Sequence, residues 1–373
     1  MKRIFVGVIA LLLFFSVNCR ALELKSEAKS VILCEASTGK VLYEENADKA
    51  LPPASVTKIM TLLLVFEAAD RGELSFDDTV TASARAAGMG GSQIYLKEGE
   101  TMTVDELVKS VAVASANDAA LALAEYVCGS EEQFVMRMNE RAAELGMVNT
   151  HFENTNGLDD TTASHLTSAR DIALMSAELM KHKKIFEYTT IWMDTVRGGQ
   201  FGLTNTNRLI RFYQGANGLK TGSTSRAGFC ISATAERDGM QLIAVVMGAP
   251  GRDARNECAK LLLDYGFANY AFSDFPAGEV TDIGVKGSRN GCITGEYPEF
   301  SYVSEKNGGS ITKSINIDDD LSAPIDAGSR VGSVVYERDG TVLHEDDIVC
   351  REGCPRLGFA DIFFEVLRSM LLL

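Results

Sequence analysis

The segment that most limits how this chain folds begins at Ser55. Across residues 55–69, Ile59, Met60, Leu62, Leu63, Leu64, Val65 and Phe66 leave no polar face on a helix of 3.6 residues per turn. Such a helix has no side suited to water, so it lies inside a domain with other elements packed all around it. The chain can supply them: 46% of its 373 residues are hydrophobic, and its length suits two domains.

The flanks of this helix read as strands. Residues 31–35 and 40–43 are short strand-like runs around a turn at Ser37-Thr38-Gly39, a hairpin pattern. From residue 104 to about 180 the chain is rich in Ala, Leu, Met and Glu at helical spacing, interrupted by a loop at Asn154-Thr155-Asn156-Gly157. Residues 218–221, 228–235 and 240–247 then read as successive strands, with a turn at Arg237-Asp238-Gly239, and residues 256–265 as a closing helix. Strands at both ends of a helical middle predict an α+β domain over residues 22–272, a sheet with an inserted helical lobe. From Phe275-Pro276-Ala277-Gly278 onward, short alternating runs broken by Gly, Asn and Asp predict a small β domain over residues 273–356. Within it Asp318-Asp319-Asp320 reads as a solvated turn, because the other positions of a calcium loop are missing.

Both ends carry topological information. Lys2 and Arg3, an apolar run from Ile4 to Val17 and Cys19-Arg20-Ala21 read as an export signal over residues 1–21, the run being shorter than the roughly 20 residues of a spanning helix. An exported, extracytoplasmic protein is expected. At the other end Phe359, Ile362, Phe363, Val366, Leu367, Met370 and Leu371 share one helical face, opposite Asp361, Glu365, Arg368 and Ser369. An amphipathic tail helix over residues 357–373, too short and too charged to span a bilayer, has two readings: a peripheral anchor on the outer face of the cytoplasmic membrane, or a helix packed on the β domain or a partner.

Charge and metal-ligand spacing exclude other classes. With 51 acidic against 36 basic residues the net charge is −15, the wrong sign for a nucleic-acid partner. His151, His165, His182 and His344 are far apart, there is no HExxH, and the cysteines lack paired-ligand spacing, so neither a metal nor another cofactor is expected. Cys350 and Cys354 could pair with each other or with Cys292, or stay thiols like the rest.

Three short motifs could carry chemistry. Ser55-Val56-Thr57-Lys58 puts a hydroxyl and an amine on one helical face, a nucleophile beside a base. The lysine works only if its pKa falls toward neutrality, which burial, the helix N-terminus and a second cation all favour. The same spacing begins at Ser26, Ser37 and Ser310, but only Ser55 opens a strongly helical segment. Ser115-Ala116-Asn117 offers a hydroxyl and an amide that point the same way in an extended segment. Lys220-Thr221-Gly222 occurs once, on a predicted strand, where the lysine supplies the second cation, the threonine binds a carboxylate and the glycine admits another backbone to the strand edge.

With these motifs in this order, the sequence resembles the serine penicillin-binding proteins of the D-alanyl-D-alanine carboxypeptidase type. The resemblance covers about residues 25–270 through Pro53-Ala54-Ser55-Val56-Thr57-Lys58-Ile59-Met60-Thr61, Ser115-Ala116-Asn117-Asp118-Ala119-Ala120, Asn156-Gly157-Leu158-Asp159 and Gly218-Leu219-Lys220-Thr221-Gly222-Ser223-Thr224. It implies a β-lactamase/transpeptidase-like domain, with the C-terminal β domain and membrane-binding tail that the family often carries. It also implies removal of the terminal D-alanine from peptidoglycan pentapeptide stems through an acyl-enzyme, with β-lactam antibiotics as covalent inhibitors. Ser55 would be the nucleophile, Lys58 its base and Ser115 a proton relay. Asn117 would hold the peptide, Lys220 sustain the electrostatics, and Thr221 and Thr224 bind the terminal carboxylate. The backbone N–H groups of Ser55 and Ser223, the latter following Gly222, would form the oxyanion hole. Relatives also use an arginine near the last helix, for which Arg255 is a candidate whose spacing the sequence does not fix. His165 and Asp171 read as structural.

Two other functions compete with this reading. A class A β-lactamase needs a further glutamate to activate its deacylating water, and no Glu-x-x-x-Asn occurs between Asn117 and Lys220. A catalytically idle wall-binding scaffold has no need of Ser55, Lys58, Ser115 and Lys220 together.

Overall fold

The computed structural model describes residues 27–159, 162–289 and 291–371, so the expected export signal lies outside the described residues. Ser30–Glu35 (β1) pairs with Val41–Glu45 (β2) as the sequence predicts. The sheet resumes at Ala216–Thr224 (β3), Gly228–Arg237 (β4) and Met240–Ala249 (β5), giving the antiparallel order β2-β1-β5-β4-β3. Pairing of β1 with β5, from Ser30 opposite Met247 to Glu35 opposite Leu242, ties the two ends of the domain together. Both faces of these strands are covered, so they read as near-continuous apolar runs. Ile32, Cys34, Val245 and Met247 face the helical lobe, while Val31, Leu33, Ala244 and Val246 face the helix Arg252–Asn269.

The lobe comprises Lys58–Asp70 (α1), Val104–Ala114 (α2), Asn117–Cys128 (α3), Glu131–Glu144 (α4) and Ala169–Lys181 (α5). Every residue of α1 from Lys58 to Phe66 is buried, as its unbroken apolar circumference requires. Helix α2 begins where the Thr103 hydroxyl accepts from Glu106 N at 3.1 Å, with Asp105 and Glu106 favourably placed on the positive end of its dipole.

The structure departs from the sequence reading at several places. Ser115-Ala116-Asn117 is a tight junction rather than an extended segment: Ser115 ends α2 in the left-handed region at φ 63°, and Asn117 opens α3. The helix Arg252–Asn269 (α6) is longer at both ends than the predicted 256–265, because its first turn is charged and lacks the apolar spacing that marks its middle. The expected boundary at residue 272 falls inside the strand Tyr270–Phe275, which follows α6 directly and pairs with Phe300–Glu305. Val303 of that ribbon is buried in the core of the first domain, and Lys40 Nζ donates to its carbonyl at 2.8 Å.

The C-terminal β domain is a five-stranded antiparallel sheet in the order Gly278–Gly284, Cys292–Tyr297, Thr341–Cys350, Arg330–Arg338 and Ile311–Ile317. Asp318 pairs with Arg330 and Asp320 with Lys286, which fits a solvated turn. Cys292, Cys350 and Cys354 are free thiols, and Cys350 Sγ donates to the Glu352 carbonyl. The apolar face of the tail helix Phe359–Met370 (α7) is exposed: Phe359 is 86% exposed, and Ile362, Phe363, Val366, Leu367 and Met370 are exposed with it.

Candidate active site

The site forms where the start of α1, the α2–α3 junction and the edge strand β3 meet. Ser55 sits on a 3₁₀ turn, Ala54–Thr57, that runs into α1 and brings its hydroxyl over the side chain of Lys58. Ala54 takes φ 49°, a conformation costly for a residue with a Cβ and typical of a backbone held by its surroundings. Two glycines make room for this turn. At Gly157, with φ +85°, a Cβ would stand 1.8 Å from the Ala54 carbonyl oxygen, and at Gly222 on β3 a Cβ would stand 2.7 Å from Ser55 N.

Lys58 is wholly buried, and its Nζ has three neighbours: Ser55 Oγ at 2.9 Å, Asn117 Oδ1 at 2.6 Å and the Asn156 carbonyl at 2.9 Å. None is a carboxylate. A charged ammonium in so dry a place costs several kcal/mol unless it is paired. Burial first, then the charge of Lys220, hold the Lys58 amine well below the ordinary lysine range, and Asp118 opposes them. The neutral amine fits its surroundings: two N–H groups donate to the Asn117 and Asn156 oxygens, leaving the lone pair for the Ser55 O–H.

Lys220 is equally buried on β3. Burial first and then Arg255 bring its pKa down to about 7, and its Nζ donates to the Thr221 carbonyl at 3.0 Å. Arg255, from the first turn of α6, is 3% exposed and donates to Asn256 Oδ1 and the Cys230 carbonyl, neither of them charged. Burial brings its pKa down to about 10.

Ser55, Ser115, Thr221, Gly222, Ser223 and Arg255 line one cleft of about 730 Å³, a volume suited to a peptide terminus. Lys58 and Asn117 are buried behind Ser55 and joined to it by hydrogen bonds through the Lys58 amine, with the buried Lys220 near enough to act on Lys58 by its charge. Asn117 and Thr224 both have hydrogen-bond partners within the protein. The Asn117 amide is committed within the protein, accepting from Lys58 and donating from Nδ2 to the Gly90 carbonyl at 2.7 Å, so one N–H remains for anything else. Thr224, which is not among the lining residues, donates its hydroxyl to Asp159 Oδ2 at 2.5 Å and accepts from Ala227 N. The hydroxyl that does line the cleft, on Thr221, donates to Thr206 Oγ1 at 2.8 Å.

His165 and Asp171 are buried and hydrogen-bonded within the domain. His165 Nδ1 accepts from Glu153 N at 3.0 Å, which puts the ring proton on Nε2, 2.8 Å from Thr57 Oγ1; burial brings its pKa down to about 4. Asp171 receives Asn149 N and the Thr150 hydroxyl. The loop Asn154-Thr155-Asn156-Gly157 is shaped by Asn154 Oδ1, which accepts from Asn156 N and Gly157 N. The sequence reading assigned no role to Asp118, whose buried carboxylate accepts from Ile94 N and Leu96 N and fixes the segment carrying the cleft residue Ser92. Trp192, Arg208, Phe212 and Arg252 were also missed; no short motif marks them, and they reach the cleft only through the fold.

The family described as D-alanyl-D-alanine carboxypeptidase matches residues 18–251, well over half of the chain. The chain belongs to this family. A second match, to the C-terminal domain of penicillin-binding protein 5, covers residues 298–356. D-alanyl-D-alanine carboxypeptidase DacF of Bacillus subtilis is 43% identical over 91% of this chain and 89% of its own length. Penicillin-binding protein 5 from Haemophilus influenzae superposes with a TM-score of 0.75 at 29% identity, covering 88% of this chain and 98% of that one. Penicillin-binding protein D2 from Listeria monocytogenes, solved in its ampicillin-bound form, is 35% identical over 65% of this chain and 99% of its own, with a TM-score of 0.61. This D-alanyl-D-alanine carboxypeptidase is thus a serine-type peptidase and a penicillin-binding protein of the transpeptidase fold.

Proposed function

We propose that Ser55 attacks the carbonyl of the terminal D-alanyl-D-alanine bond of a peptidoglycan pentapeptide stem, forming an ester and releasing D-alanine, and that water then frees the shortened stem. The observation that carries this is the buried Lys58 amine between Ser55 Oγ and two neutral acceptors. Lys58 takes the Ser55 proton, and Ser115, on the cleft wall, passes a proton to the leaving amine. The N–H groups of Ser55 and Ser223 face the developing oxyanion. Thr221 and Arg255, with Lys220 behind them, hold the terminal carboxylate. Asn117 keeps Lys58 in place and has one N–H left for the stem. Thr224, through Asp159, braces the loop that carries Gly157.

β-lactams acylate the same hydroxyl, and the ampicillin-bound Listeria relative supports this reading. An export signal over residues 1–21 puts the enzyme outside the cytoplasmic membrane, and α7 holds it there through its uncovered apolar face. The proposed division is a catalytic domain over residues 22–272 and a small β domain over 273–356, joined by the ribbon of Tyr270–Phe275 and Phe300–Glu305.

Incubation with pentapeptide stems should yield tetrapeptides and free D-alanine, both read by mass spectrometry; unchanged pentapeptides would overturn the proposal. A chain truncated before Gly358 should stop sedimenting with anionic vesicles yet still hydrolyse soluble peptides, and continued sedimentation would remove α7 as the anchor.

A further inference from the structure

The cleft is larger than the chemistry at Ser55 needs. Besides Ser55 and Thr221 it is lined by Trp192, Thr206, Arg208, Phe212, Arg252 and Arg255. In a chain of net charge −15, three guanidinium groups meet here and no carboxylate lines the cleft among the described residues. Arg208 and Arg252 lie near enough to Arg255 for their charges to lower its pKa. Several arginines elsewhere are paired, as Arg141 is with Glu67 and Glu178, and Arg170 with Glu44 and Asp48. Arg208 and Arg252 have no ion-pair partner among the described residues.

One terminal carboxylate occupies Thr221 and Arg255 and leaves two positive charges uncompensated. The Trp192 indole N–H is buried with no acceptor, an unusual state for a buried donor. Trp192 meets Phe212 edge to face at 6.0 Å, and Phe212 stands 68% exposed at the lip. The Arg211 guanidinium lies 5.6 Å from the centroids of both rings. An apolar side-chain stem ending in an acidic group matches this wall: rings for the stem, guanidinium groups for the charge.

Resting on the hydrolase reading of the same cleft, we propose that Arg208 and Arg252 determine specificity by recognising a second free carboxylate on the stem peptide, carried by the side chain of a residue upstream of D-Ala-D-Ala. Stems with that carboxylate intact are preferred over those in which it is amidated. Both arginines are exposed, so the preference is salt-sensitive.

The test compares two synthetic pentapeptides whose third residue is a diamino dicarboxylic acid, with its side-chain carboxylate either free or converted to the primary amide. D-alanine release gives kcat/KM for each. The wild-type enzyme should favour the free acid about tenfold at low salt, with the ratio shrinking in 0.5 M salt. Arg208→Gln/Arg252→Gln should bring the ratio to about one, and Arg208→Lys/Arg252→Lys should keep most of it. A general loss of stability cancels in the ratio, and labelling by a fluorescent penicillin reports an intact site. Equal hydrolysis of both peptides by the wild type would overturn the inference while leaving the hydrolase reading in place. Hydrolysis of neither would overturn both.

Discussion

Lys58 Nζ lies 2.9 Å from Ser55 Oγ inside a pocket that gives the amine no carboxylate to pair with. A group held this way is a base at a pH where free lysine is an acid. Lys58→Met keeps the apolar bulk and removes the base. It should reduce both penicillin acylation and D-alanine release about 10³-fold while the far-UV spectrum stays native. Acylation at near wild-type rate would mean that another group takes the Ser55 proton.

Lys220 links the site to stability. Its folded pKa of about 7 lies below the ordinary 10.5, so between these values the unfolded chain binds a proton there that the native protein does not. Stability rises with pH wherever the unfolded state holds more protons, so this lysine destabilises the fold most near and below pH 7 and ceases to do so above 10.5. Lys220→Met should therefore raise Tm at pH 7 and abolish activity, with the gain in Tm shrinking as pH rises. A gain independent of pH would show that Lys220 keeps its charge in the folded protein.

Gly157 bears on the nucleophile through the backbone. A methyl group there meets the Ala54 carbonyl and Thr57 Oγ1, at a φ of +85° that L-residues rarely adopt. Gly157→Ala should cost about 2–4 kcal/mol in denaturant unfolding and slow penicillin labelling with it. Unchanged stability would mean that the 3₁₀ turn and the loop move apart at little cost.

Much of the core was legible in advance because its signals are local. The apolar circumference of α1 and the runs of β1, β4 and β5 need only sequence neighbours to be read. Ser55 and Lys58 were legible for the same reason, three residues apart on one turn. The Ser115 junction was misread because a left-handed serine leaves no mark in composition; Ala116 N donates to the Ser110 carbonyl and Asn117 N to the Ser92 carbonyl across it. The hydrogen bond of Thr224 to Asp159, 65 residues away, and the arginine and tryptophan lining were invisible because these residues meet only in three dimensions. Motifs carried the chemistry, and long-range packing carried the shape of the cleft.

The most direct measurement is intact-protein and peptide mass spectrometry after incubation with benzylpenicillin. The wild-type enzyme should gain one penicilloyl group, carried by the peptide containing Ser55, and Ser55→Ala should gain none. An adduct of the same stoichiometry on Ser55→Ala, or on any peptide other than the one bearing Ser55, would contradict the account.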